Sequence, residues 1–167
     1  MKITIPENLS EVTLGQYMKY NTIEGDDYII ALKSIEIFYD ISLKAAKGMC
    51  LDDTTETLEL INQAFTKKRR FKKRFFLHEV EFGFIPNLDD MKSKEYFDLT
   101  TYNTEVETLH NLMAILFRPI KKKQVGEAYK IKDYSGSNEW AEAMKKTPLP
   151  IVNGALVFFC NLSNELS

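Results

Sequence analysis

The residues most able to do chemistry in this chain are seven cations packed into eight positions, KKRRFKKR at 67–74. Positive charge at that density suits phosphates or an acidic protein face. Phe71, with Phe75 and Phe76 just beyond, adds the aromatic groups on which nucleic-acid surfaces stack bases. The plainer reading is a solvated strand end, whose cations blunt a sheet edge against aggregation. Lys67, Lys68, Arg69, Arg70, Lys72, Lys73 and Arg74 are therefore the candidate partner-binding residues. Arg118 joins them. It follows an apolar helical stretch and precedes Pro119, where a cation offsets a helix dipole. If it is instead buried or at an interface, it fixes the turn into 120–134.

No other group of residues forms a reactive constellation. His78 and His110, the two histidines, lie in no HExxH pattern and beside no cysteine pair, so neither reads as a metal ligand. His110 falls beside an apolar stripe and His78 at a turn. The pairs Asp26–Asp27, Asp52–Asp53 and Asp89–Asp90 each precede a predicted helix, where negative charge offsets the dipole. There is no P-loop, GxGxxG or GxSxG. Gly15 lies inside a helical pattern and reads as a close-packing position. Cys50 and Cys160 have no metal-ligand spacing and read as buried thiols in a reducing cytoplasm. The expectation is a protein that is not an enzyme, with no catalytic, metal or cofactor residue.

Charge narrows the partner. Residues 1–66 carry 5 basic and 11 acidic side chains, and residues 75–167 carry 10 and 13. A duplex held broadly against such a chain is repelled, so an acidic protein face is preferred to nucleic acid. The acidic 1–66 half of an adjacent copy is one such face. Apolar content of 44%, aromatic content of 12% and 28% charged residues fit an ordered soluble domain. No apolar run approaches the roughly 18–20 residues of a membrane span, and the N-terminus lacks a secretory signal's apolar stretch.

These residues must be positioned by a scaffold that nearly repeats itself. IPENLSEVTLGQY at 5–17 is echoed by IPNLDDMKSKEY at 85–96. With one position skipped after the proline, Leu9 matches Leu88, Gln16 matches Glu95 and Tyr17 matches Tyr96. Strand-like segments, Lys2–Ile5 and Val80–Ile85, precede the two copies. The spacing predicts equivalent strand–proline–helix units around 2–22 and 80–101, with Leu9 and Leu88 buried. Thr13-x-x-Gln16 is a capping box opening a helix to Asn21. Further helices are predicted at 27–39, at 42–47 ending in a left-handed Gly48, and from Asp52 or Asp53 to Phe65. Arg70–Leu77 and Val80–Phe84 read as a hairpin turning at His78–Glu79, and 120–134 as a second around Gly126. As a strand, 70–77 would place Arg70, Lys72 and Arg74 on one face. Asp89 or Asp90 is expected to cap the next helix. A second capping box, Thr104-x-x-Glu107, opens a strongly apolar helix over 104–118, stopped by Pro119 and expected at the centre of the core. Helices at 138–146 and 152–166 complete a helix-rich α+β single domain over 1–167 with one or two small β-hairpins.

The phrases ITIPENLSEVTLGQY, FGFIPNLDDMKSKEYFDL, TLHNLMAILFRPI, YKIKDYSG and PLPIVNGALVFF occur in this order. Together they resemble small proteins encoded among the structural genes of tailed phages of Bacteroidetes hosts, including crAss-like short-tailed phages. The resemblance covers most of the chain. It implies a virion structural protein, a ring or adaptor subunit of the head–tail junction or tail, or alternatively a tail assembly chaperone absent from the mature particle. It also implies partners: other copies in a ring, and the portal or other tail proteins. No membrane is expected. The implied location is the virion, assembled in the host cytoplasm.

Overall fold

A computed structural model of the chain describes residues 12–66, 70–102 and 105–166, the side chains after 161 excepted. Helices α1 (Leu14–Asn21), α2 (Asp27–Tyr39), α3 (Leu43–Lys47) and α4 (Leu51–Thr66) come first. The first three begin where a side chain caps them. Thr13 and Gln16 exchange both bonds of a capping box, Asp26 accepts from the Ile29 amide, and Ser42 accepts from the Ala45 amide. These bonds occupy amides that no helical carbonyl can reach. Helices α1, α2 and α4 meet through Tyr17, Tyr20, Phe38 and Phe65, whose paired ring centroids lie 5.1–5.7 Å apart. Gly48 is not left-handed, as the sequence predicts; its φ is −86°. The left-handed position is Asp40, at φ 52° after α2, a conformation aspartate tolerates. Asp52 and Asp53 sit in the first turn of α4 rather than before it.

Two hairpins then fuse into one antiparallel sheet. Strands β1 (Arg74–Leu77) and β2 (Val80–Phe84) turn at His78–Glu79. Strands β3 (Phe117–Lys123) and β4 (Tyr129–Ile131) turn around Gly126, at φ +74°. Pairing of Phe84 with Phe117 joins them in the order β1-β2-β3-β4. Phe75, Phe82, Phe84 and Phe117 point inward, and Arg74, Gly83 and Arg118 share the outer face.

Between the hairpins lie α5 (Ser93–Tyr102) and α6 (Leu109–Leu116). Every residue of α6 is buried except the half-buried His110, and Leu112, Met113 and Leu116 are fully enclosed, as the apolar stripe predicts. The helix is shorter than predicted. A 3-10 turn over Val106–Thr108 precedes it, and Phe117 is already extended. Pro119 pushes Arg118 toward extended backbone, and pairing with β2 captures Phe117 and Arg118 for the sheet. Thr104 lies outside the described residues.

Helices α7 (Asn138–Met144) and α8 (Leu149–Leu166) close the fold. Their connection accepts the first amides of α1: Leu14 donates to the Thr147 carbonyl at 2.8 Å and Gly15 to that of Lys145 at 2.7 Å. A Cβ on Gly15 would stand 3.1 Å from the Lys145 oxygen, so this glycine serves close packing. Both cysteines are exposed, against the buried-thiol expectation: Cys50 precedes α4 and Cys160 lies on the outer side of α8. No helix among the described residues is long and apolar enough to cross a membrane.

The strand and proline of the first sequence echo lie outside the described residues. In the second, β2 leads through Pro86 to a 3-10 turn, Leu88–Asp90, capped by Asn87 rather than by an aspartate. Leu88 packs against the core only in part. One equivalence does hold: Gln16 accepts from the Thr13 amide, and Glu95 accepts from the Lys92 amide three residues back.

Candidate functional site

The predicted basic strip does not form a strand from its start. Lys67, Lys68 and Arg69 lie outside the described residues. Arg70, Lys72 and Lys73 are exposed, and only Arg74 belongs to β1. The cause is distant. Phe71 leaves the strand alternation to stack on Phe158 of α8, with centroids 4.0 Å apart and rings parallel, and meets Phe84 edge-on at 5.0 Å. Gly154 of α8 brings its backbone against the Arg70 carbonyl and Phe71 Cα, where a Cβ would stand at 3.2 and 3.3 Å. Arg70, Lys72 and Arg74 therefore do not share a strand face.

Two clefts border this segment, and a further one adjoins the first of them. The largest of the three, about 700 Å³, has Phe71, Phe84, Phe158 and Leu88 as apolar lining, with Lys73 and Arg74 and also Asp89 and Glu127 among its charged lining. Tyr129 forms one wall. Its hydroxyl donates to the Phe84 carbonyl at 2.6 Å, and its ring lies under the Arg74 guanidinium at 5.9 Å. Burial raises the Tyr129 pKa, with Arg74 opposing, so the phenol stays protonated. Gly83 makes room for that ring: a Cβ there would stand 2.5 Å from Tyr129 Cε2 and 3.0 Å from Ile120 Cγ1. Gly83→Ala is expected to cost about 1–3 kcal/mol by overpacking, seen as a lower urea midpoint with an unchanged slope. An unchanged midpoint would mean that the ring swings aside freely.

A second cleft, about 470 Å³, adjoins the first across Ile85–Asn87 and Tyr129. Arg118 lies on its floor, 8% exposed. Its guanidinium donates to Glu95 of α5, to the Ile115 carbonyl at 3.2 Å and to the Lys132 carbonyl at 2.9 Å, and lies over the Tyr134 ring. Tyr134 in turn donates to Asp98. Burial, then the hydrogen bond to Asp98, drives the Tyr134 pKa far upward, so this phenol also keeps its proton. Arg118 is thus an internal brace tying α5, α6 and the segment that follows β4 together. Of its two sequence readings the structure selects the buried arginine that fixes the turn: its Nε and one terminal nitrogen donate inside the chain.

The third cleft, about 490 Å³, runs along β1 and brings Lys72 and Arg74 together with Lys146 from the α7–α8 connection. Lys146 Nζ lies 3.2 Å from His78 Nε2 in the β1–β2 turn. His110, by contrast, faces inward; burial and then Lys145 lower its pKa. Among the described residues no group of three His, Cys, Asp or Glu side chains is placed to hold a metal ion.

Sequence reasoning missed Lys146, Tyr129, Tyr134 and the pairing role of Glu95. Only Glu95 carried a signal, its match to Gln16 in the echo. Comparison of the chain with protein-family models, curated proteins and solved structures finds no match.

Proposed function

We propose that the chain is a virion structural protein of a tailed phage, a ring or adaptor subunit of the head–tail junction or tail, working through repeated protein contacts. The order of shared phrases with phage structural-gene proteins supports the phage origin. The observation that carries the contact role is the set of large apolar side chains turned outward from regular elements. Phe76 on β1 is 63% exposed, Tyr96 and Phe97 on α5 are 59% and 68%, and Leu51 on α4 is 79%. Rigid elements that present such groups to solvent suit surfaces that another protein covers. A ring built from one chain needs head-to-tail interfaces.

Mass spectrometry of purified particles tests this reading. The chain is expected in the particle at a fixed ratio to the portal, and a reconstruction should show more than about 1,000 Å² buried per neighbour. A chain present in infected cells but absent from particles would instead be the assembly chaperone.

A further inference from the structure

We propose that the outer edge of β1, which has no partner strand among the described residues, is a docking site for an extended acidic segment of a partner protein, which adds to the sheet as a fifth strand. The inference rests on the reading that this chain works through protein contacts. It goes further by naming the place and the chemistry of the contact.

Register identifies the open groups. Leu77 pairs with Val80 across the two-residue turn, and the Lys73 carbonyl accepts from the Phe84 amide at 2.8 Å. Alternation then turns the backbone of residues 73, 75 and 77 toward β2 and that of Arg74 and Phe76 toward the free edge. Among the described residues the amides and carbonyls of Arg74 and Phe76 have no hydrogen-bond partner. Such an edge is a template for another strand, and proteins normally blunt or cover it.

The surroundings select the occupant. The cleft along this edge is lined by Lys72, Arg74, His78 and Lys146, with Pro148 and Ile151 on the helical side, and no carboxylate lines it. A strand lying there places alternate side chains over Ile151 and Pro148 and the others beside Arg74 and Phe76. An acidic, partly apolar strand satisfies both requirements. A second copy is a poor donor. The described acidic residues of its first 66 positions lie on or beside helices whose backbones are already bonded, and its other free edge, β4, carries Lys130.

The test uses the full chain and a fluorescein-labelled hexapeptide of alternating glutamate and valine. Anisotropy is expected to show binding at least about tenfold tighter than for the lysine–valine counterpart, with the difference shrinking as salt rises. Methylating alternate peptide amides should weaken binding about tenfold without touching the protein. The Lys72→Gln/Lys146→Gln variant should weaken it at least threefold. By NMR, amide exchange at Arg74 and Phe76 should slow when the peptide is added. Equal binding of both peptides, or no slowing at those two amides, overturns the proposal and leaves the cations as guards of the edge. Slowing that depends on protein concentration without peptide overturns it in favour of a second copy. Particle mass spectrometry separates the two readings. A chain present in particles whose edge ignores the acidic peptide retains the virion role and loses the docking site. A chain absent from particles that binds the peptide keeps the docking site and loses the virion role.

Discussion

Replacing Arg118 with methionine is expected to lower the unfolding free energy by about 3–5 kcal/mol, because it strands a carboxylate inside the fold. The Arg118 and Glu95 side chains are only 9% and 5% exposed, and they face each other across the α5–β3 junction. Among the described residues, removing the cation leaves Glu95 with the Lys92 amide as its one remaining hydrogen-bond partner. The double variant Glu95→Gln/Arg118→Met should recover a large part of the loss, since the amide keeps the acceptor for Lys92 and carries no charge. Urea unfolding of the wild type, both single variants and the double variant closes the cycle. A cost below about 1 kcal/mol for Arg118→Met would mean that water reaches the pair and screens it.

Phe117→Ala is expected to cost a similar amount, about 3–5 kcal/mol, for a different reason. Phe117 is fully buried where α6 becomes β3, with its ring 4.9 Å from Phe75 and 5.3 Å from Phe84. Truncation leaves a void bounded by a helix end and two strands, none of which can collapse without losing its own pairing. Thermal and urea unfolding measure it. A small loss would show that Phe75 and Phe84 repack across the gap.

The features legible in the sequence are those decided within a few residues. The Thr13–Gln16 box, the aspartate before α2, the turns at His78–Glu79 and Gly126 and the stripe of α6 all rest on contacts between near neighbours. What was not legible was decided from afar. Local periodicity carries a helix through 117 and 118, and pairing with Phe84 and Gly83, helped by Pro119 after Arg118, converts them to strand. Phe71 would continue an alternating strand were it not for Phe158 on the last helix. Arg118 looked like a cation at a helix end because nothing adjacent announces Glu95, 23 positions earlier. The candidate surface divides in the same way. Lys72 and Arg74 stand out as part of a charge run, whereas Lys146 joins them only through the way α7 and α8 fold back on β1.

The fusion of two hairpins into one sheet also sets an order of events. Each hairpin closes over a short turn, a process of about 1–10 μs. The bond between them is another matter: Phe84 meets Phe117 33 positions further on. Bringing such ends together costs about 3 kcal/mol in chain entropy before any contact offsets it. The intervening α5 and α6 shorten that span by coiling, which lowers the cost of joining the halves. The junction of the two hairpins is therefore expected to form after each hairpin has closed. Until then β2 and β3 each show an unpaired flank together with Phe82 and Phe117. A nascent chain is most open to pairing with the wrong neighbour during that interval, before the native partner strand arrives.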